Sequence, residues 1–361
     1  MKKLTITFLF TLFFVSTIFA QVDEENKSAF QLSFVPPLST QGTQAPKYTN
    51  AVSINILAGV SKNVTSFSLS SLGMYVVNDL SGVHISGLGT IAGNNGAGIM
   101  ISSLLNKSKD FQGFQLSGLL NLAYKTEGFQ ISGLGNIAKE DMEGFQISGL
   151  INSTKRADGF QVGGLINIAS DVDGFQIGGL INVAKDVNGF QIATLLNIAD
   201  NNDYPLGLVN IIKNNGEMSI GVTYNETGST ILSFRSGGRV LYGIVGVGFN
   251  HKTDKNRFVT EGGLGGHIPV STRFRINNEI KSSYIIASGK KSVNHSSFSI
   301  MPAFKLLPRW EIFAGPSINY LESDHTDNIG LFPDKSLWKK YTDNRLQQLY
   351  LGFSVGTHLI F

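Results

Sequence analysis

The sequence predicts an all-β chain in which an N-terminal repeat β-solenoid is followed by a C-terminal antiparallel β-barrel of about eight strands. Three observations carry that expectation. A phrase of the type Gly-Phe-Gln-Ile-x-Gly-Leu-x-Asn recurs every fifteen or sixteen residues through the middle of the chain. Beyond residue 217 the phrase gives way to long segments of period-two alternation. The composition suits both: of 361 residues 42% are hydrophobic and only 15% charged, with 41 Gly, 25 Phe and 9 Pro. Globular proteins carry about a quarter charged residues. Disordered chains have more charge and fewer aromatics, and helical bundles avoid Gly at this density.

At the N-terminus, Met1-Lys2-Lys3 is basic, Leu4 to Ala20 is almost wholly apolar, and the chain turns polar at Gln21. This order predicts a secretory signal peptide over 1–20, cleaved after Ala20, and then an N-terminal segment over 21–50. No later run is long and apolar enough for a spanning helix, which needs about 18 residues. The formal net charge of +3 includes Lys2 and Lys3, and no basic cluster accompanies the pI near 8.8. Nothing therefore points to nucleic acid. The chain has no Cys, which excludes disulfides, a lipidated N-terminal Cys, thiolate catalysis and Cys-ligated metals.

The repeats occupy about residues 51–212. Gly-Phe-Gln begins at Gly113, Gly128, Gly144, Gly159, Gly174 and Gly189. Its phenylalanines are Phe114, Phe129, Phe145, Phe160, Phe175 and Phe190, and its glutamines Gln115, Gln130, Gln146, Gln161, Gln176 and Gln191. Each is followed by Leu-x-Asn: Leu119 with Asn121, Leu134 with Asn136, Leu150 with Asn152, Leu165 with Asn167, Leu180 with Asn182 and Leu195 with Asn197. Weaker copies begin at Gly82 and Gly98, and a shortened one, Leu206-Gly207-Leu208-Val209-Asn210, closes the series.

Each unit divides into an extended piece, a Gly corner, a second extended piece and a polar turn. Gly density and β-branched residues disfavour a helix. Two strand arrangements remain, a solenoid of parallel stacked coils or an antiparallel meander that merges with the C-terminal strands into one larger barrel. A meander places alternate turns at opposite ends, so its natural repeat is two strands. Here Gln and Asn recur in every unit, which favours the solenoid. Stacked coils would set Gln over Gln and Asn over Asn in amide ladders. The Phe and Leu positions are expected to stack as the apolar core, which one unit could not bury alone.

From residue 217 to 361, eight segments read as strands: Met218 to Asn225, Ser229 to Ser236, Arg239 to Asn250, Arg257 to Ile268, Thr272 to Ile286, Ser296 to Leu306, Arg309 to Leu321 and Gln348 to Phe361. Phe274, Ile276, Ile280, Tyr284 and Ile286 share one face, opposite Arg273, Arg275, Asn277, Glu279 and Lys281. Such strands suit lipid outside and a polar lumen inside. In an eight-strand barrel the charged side chains fill the interior as a salt-bridge network. Glu322 to Leu346 is read as one long polar loop.

The alternating strands that end on an aromatic residue resemble Gram-negative outer-membrane β-barrel proteins. The resemblance implies outer-membrane lipid and the barrel-assembly machinery as partners, with Phe361 as the assembly signal. It also implies export by the general secretory route. The Gly-Phe-Gln array is similar to bacterial surface-repeat proteins, a likeness that brings little function with it.

Candidate chemistry is sparse. The six His are scattered without ligand spacing, and no Walker loop, H-E-x-x-H, G-x-S-x-G or dinucleotide fingerprint is present. Turn acids Asp141, Asp158, Asp171, Asp173 and Asp186 do not follow the calcium-roll pattern and are read as turn formers. Ser354 and His358 share one face of the last strand, where a membrane hydrolase would need a lipid-facing Ser-His pair. The expectation is a non-enzymatic cell-surface protein with a structural or adhesive role, no cofactor and an unidentified extracellular ligand. A porin-like channel is the alternative, and a lipid hydrolase the third reading.

Overall fold

The computed structural model describes residues 26–252, 257–286, 292–323, 331–342 and 345–361. The signal peptide expected over 1–20 lies outside them. The architecture is a solenoid of about eleven turns and a closed eight-strand antiparallel barrel at the C-terminus. The chain forms two compact units, Met1–Ala169 and Ser170–Phe361.

In the first unit each repeat is one coil with two strands in two different sheets. Asp110–Ser117, Lys125–Ser132, Asp141–Ser148 and Arg156–Gly163 stack in one sheet, all parallel. Leu120–Ala123, Gly135–Ala138, Ile151–Ser153 and Ile166–Ile168 stack in the other. Register is strict, with Phe114 beside Phe129, Gln115 beside Gln130 and Asn121 beside Asn136. Parallel pairing excludes the single larger meander barrel, whose strands would run antiparallel. The stack also begins earlier than residue 51, because Asn26–Val35 pairs in parallel with Tyr48–Asn55.

The Gly of each Gly-Phe-Gln phrase has a backbone reason. Gly128 sits at φ +120°, and a Cβ there would lie 2.2 Å from the Gly113 carbonyl oxygen of the coil beneath. The side-chain alternation runs unbroken through the bend: Thr126, Gln130 and Ser132 point inward, while Glu127 and Phe129 point out.

The inside of the solenoid is the reverse of the expected one. Gln115, Gln130, Gln146, Gln161, Gln176 and Gln191 are fully buried, as are Asn121, Asn136, Asn152, Asn167, Asn182 and Asn197. The expected core residues lie on the outer surface. Phe129, Phe145 and Phe160 are exposed, Phe114, Phe175 and Phe190 half-buried, and Leu119, Leu134, Leu150, Leu165, Leu180 and Leu195 all exposed. The remaining inward positions of the regular coils are mostly small, such as Ser132, Ala138, Ser148, Ala157 and Gly163. Two sheets held together by small residues and amides leave no room between them for a row of Phe rings.

In the second unit three further coils precede the barrel. They comprise Asp171–Gly178 with Ile181–Val183, Asp186–Ala193 with Leu196–Ala199, and Asn201–Leu206 with Val209–Ile212. The barrel strands are Glu217–Asn225, Ser229–Gly237, Leu241–Asn250, Arg257–Pro269, Phe274–Ile286, Val293–Leu307, Trp310–Ser323 and Arg345–Ile360. All neighbours pair antiparallel, and the first strand closes on the last from Ser219 opposite Ile360 to Asn225 opposite Ser354. The expected long loop is partly strand, since Trp338–Thr342 folds back on the start of the last strand as a hairpin.

Candidate functional site: a filled lumen and an inverted solenoid

Alternation along each barrel strand sends one set of side chains inward. Arg235 lies in the lumen with its Nε donating to Glu279 Oε1 at 2.8 Å, and Tyr242 donates its hydroxyl to the same oxygen at 3.0 Å. Lys281 bridges Glu279 at 3.3 Å and Glu261 at 3.6 Å. A second cluster surrounds Arg275, whose guanidinium reaches Glu217 at 2.7 Å and Glu311 at 2.9 Å. His358 meets Glu311 at 3.0 Å, and Asn277 donates to it at 3.2 Å. Each of these lumen ions has a partner of opposite sign, which buried charges require.

The other end of the lumen is closed by carbon. Leu331 and Phe332, which follow the Trp310–Ser323 strand, pack with Ile231, Val259, Ile285, Val293, Leu321 and Leu346 as a buried cluster. Among the described residues the interior is therefore lined by buried side chains, ion pairs toward one end and an apolar cluster toward the other. This agrees with the small bore of an eight-strand barrel.

The outer wall has the opposite chemistry. Ile280 and Leu351 are 65% and 66% exposed, and Leu232, Phe249, Ile268, Phe298, Ile318 and Leu359 are also open. Phe361 donates its backbone N–H to the Met218 carbonyl at 2.9 Å, with its ring exposed at the barrel end. No helix among the described residues is long and apolar enough to cross a membrane, which says nothing about strands.

Comparison with known proteins adds little at this point. No family model and no curated protein matches the chain. Among solved structures, a de novo designed transmembrane β-barrel is similar at 13% identity and a TM-score of 0.21, covering 40% of this chain and 94% of its own. The N-terminal β-barrel domain of Pseudomonas aeruginosa OprF is similar at 11% identity and a TM-score of 0.24, covering 41% of this chain and 98% of its own. At those values the functional reading rests on the chain's own geometry.

The Ser354–His358 pair does not have the arrangement a lipid hydrolase needs. Both side chains are buried in the lumen, away from the outer wall, and the His358 Nε2 is engaged by Glu311. The acids expected in turns lie instead in the first residues of the parallel strands, where the coil edge leaves their carboxylates at the surface, and several are held by neighbours. Asp141 pairs with Lys125 at 3.1 Å and Arg156 at 3.3 Å, and Asn188 donates to Asp173 at 3.1 Å. Lys155 donates to Glu140 at 2.8 Å and holds that carboxyl below its usual range. Among the described residues no cluster of acids and His is arranged for a metal.

The solenoid interior is a pair of amide ladders. Gln130 donates to Gln115 at 2.6 Å, Gln146 to Gln130 at 2.8 Å and Gln161 to Gln146 at 2.9 Å. Asn106, Asn121, Asn136 and Asn152 each donate to the next Asn at 2.9–3.0 Å. In the second unit Gln191 donates to Gln176, Asn182 to Asn197, and Asn197 to Asn210. Earlier in the chain the Gln row is replaced by Met100 and His84, aligned in register. His84 Nδ1 lies 2.9 Å from Ser68 Oγ, and burial lowers its pKa to about 4.

The outer surface of a coil is amphipathic. Phe, the aliphatic residue two positions on, the corner Leu and the following aliphatic residues form an apolar edge. The phenylalanines stack along it, with Phe129, Phe145 and Phe160 at centroid spacings of 4.8 and 4.9 Å, the distance between neighbouring strands. The opposite edge carries Lys139, Glu140, Asp141, Lys155, Arg156 and their counterparts in the other coils.

The last coil lies against the barrel. Asn210 donates to the Ser236 carbonyl at 3.0 Å, and its own N–H is bonded to the Ser236 hydroxyl at 2.9 Å. Ser236 alternates with the lumen residue Arg235, so it faces outward, and it is fully buried only because the coil covers it. Gly243 also faces outward. A Cβ there would meet the Gly207 carbonyl oxygen at 2.0 Å, so the coil backbone rests directly on the barrel wall. This contact was not read from the sequence. Its one trace there is the pair of glycines, Gly243 and Gly262, on outward positions of adjacent strands.

Proposed function

We propose that this chain is a non-enzymatic protein of a bacterial outer membrane, in which the barrel is the membrane anchor and the solenoid has a structural role. The observation that carries this reading is the reversal of polarity across the barrel wall. Ile280 and Leu351 stand outside, while Arg235, Glu279, Lys281, Arg275 and Glu311 are neutralised inside. Water would oppose both halves of that arrangement, whereas hydrocarbon outside favours it. Outer-membrane lipid and the assembly machinery are the proposed partners, with Phe361 at the closing strand as the residue that machinery would read.

A structural role is favoured over an adhesive one by where the last coil rests. It docks at the barrel end whose connections, Gly238 to Val240, Val270 to Arg273 and Pro308-Arg309, are all short, whereas the opposite end has the short turn Glu226 to Gly228 and all the longer connections. In outer-membrane barrels short turns face the periplasm and long loops the exterior. An extracellular ligand, if there is one, would meet the opposite end and its hairpin Trp338–Thr342.

The test is planar-bilayer conductance of purified full-length protein beside its heat-unfolded sample. Folded protein that inserts without stepwise current is expected. Stepwise openings of nanosiemens size would establish a channel and overturn the reading of an anchor.

A further inference from the structure

The apolar edge of the coils asks for an explanation that folding does not supply. Phe129, Leu134, Phe145, Ile147, Leu150, Phe160 and Leu165 form one continuous stripe on the first unit, all open. A soluble surface seldom leaves a stripe of that extent uncovered. The interior, meanwhile, is filled with buried amides. This is the polarity of the barrel wall repeated in a second fold.

The coils of the second unit carry an edge of the same kind, with Ile177, Leu180 and Leu195 open, and the last of them shows which way it points. At its polar side, the Asp203 carbonyl accepts the Val240 N–H at 3.3 Å, and the Asp203 carboxylate holds Arg239 through two bonds of 2.8 and 2.6 Å. Arg239 and Val240 are in the short connection at the barrel rim. At the coil's apolar corner, the Gly207 and Leu208 carbonyls press on Gly243, and Leu208 Cδ2 faces Gly262. Gly262 is opposite Val245 in the pairing of its strand, well down the wall. From the rim at Leu241 to Val245 the wall descends about 13 Å along the strand, or about 10 Å once tilt is allowed for. That is nearly the depth of one leaflet of a hydrocarbon core about 25–30 Å thick. The charged edge thus lies level with the rim, and the Leu corner points toward the middle of the wall.

We propose that the coils of the second unit are a monolayer-inserted element: their Phe-Ile-Leu edge is immersed in lipid hydrocarbon on the short-turn side of the membrane, and their charged edge stands at the headgroups. This rests on the barrel being membrane-embedded. Acyl chains are the occupant that fits, because the surface on which the coil rests is the same apolar wall that faces lipid elsewhere. Inside, the Gln and Asn side chains bond to one another, and at the corners the Leu195 and Leu196 N–H groups bond to the Leu180 carbonyl of the neighbouring coil, which suits a β structure that meets hydrocarbon.

The chain has no Cys, so single-Cys variants carry one label each. The experiment uses full-length protein in phosphatidylcholine–phosphatidylglycerol vesicles with an environment-sensitive fluorophore at L180C or L195C on the apolar edge, K185C on the charged edge, and I280C on the barrel wall. Quenching by nitroxide-labelled acyl chains and by aqueous iodide is read at each. Blue-shifted emission with acyl-chain quenching is expected at 180, 195 and 280, and iodide quenching at 185. Acyl-chain quenching at 280 with iodide quenching at the Leu positions overturns the inference and leaves the barrel reading intact. Iodide quenching at 280 as well would remove the barrel reading with it. Leu labels protected from both quenchers would mean that a second copy covers the edge, which also overturns the inference.

Discussion

Asn121 donates one side-chain N–H to Asn136, 2.9 Å away in the next coil, and also donates to the Ile131 carbonyl in the facing sheet at 2.8 Å. One amide therefore ties coil to coil and sheet to sheet. Asn136 repeats the pattern with Asn152 and Ile147. A single side chain supplies two of the constraints that a solenoid needs, axial register and the spacing between its sheets.

The near-isosteric change Asn136→Leu should cost about 3 kcal/mol, because the acceptors on Asn152 and Ile147 are left buried without a donor. Hydrogen exchange across residues 121–152 should accelerate locally by about two orders of magnitude. Unchanged protection would show that the ladder contributes no stability.

Gly128→Val should be worse tolerated than any change to an outward residue of the same coil. The position combines φ +120° with a Cβ placed 2.2 Å from the Gly113 carbonyl oxygen. Strained backbone alone costs about 1–3 kcal/mol, and the clash adds to it. Limited proteolysis should find new cuts between residues 110 and 145.

Lowering the pH should loosen the N-terminal coils. His84 is buried and neutral, with its folded pKa lowered from 6.5 to about 4. Its contribution is complete above about pH 6.5, falls as the unfolded chain takes up protons, and levels off below about pH 4, a loss of about 3 kcal/mol. Exchange protection of residues 80–102 followed from pH 7 to 4 should fall in wild type, and His84→Gln should remove most of that dependence.

Glu279→Ala should destabilise the barrel by about 3–5 kcal/mol, since it leaves Arg235 and Lys281 buried without their shared counter-ion. The urea midpoint of the refolded barrel is the measurement. A change within error would mean that water enters the lumen and screens these ions.

Arg239→Ala should matter little, because the guanidinium is exposed and such pairs contribute about 0–1 kcal/mol. Gly243→Leu should release the last coil from the wall. Protease sensitivity between residues 205 and 217 separates the two, with only the second variant expected to be cut.

Much of this architecture is legible in the chain, and the failures are instructive. The single-unit period identifies parallel coils, because a meander would double it, and the eight barrel strands fall within a few residues of their expected bounds. The amide rows follow from Gln and Asn at fixed positions. The loop expected over Glu322 to Leu346 contains the strand Trp338–Thr342, where all side chains are exposed and no apolar face marks the strand. The core assignment of Phe and Leu failed for another reason: a period-two pattern separates two faces but does not say which is inside. The barrel strands and the repeats carry the same alternation, which is equally compatible with hydrocarbon or water on the outer face.

The sequence by itself determined that this chain is β throughout, that its repeats stack in register and that its C-terminal strands have one apolar and one charged face. Tertiary structure alone decided which face is enclosed. Small inward residues bring the two sheets of a coil too close for Phe129 or Leu134, and only amides that bond to one another satisfy the space between them. It also decided that the last coil rests on Ser236 and Gly243 of the outer wall, a contact between segments about thirty residues apart that no local pattern encodes. Chain pattern fixes the surfaces, and packing volume together with hydrogen-bond satisfaction fixes their direction.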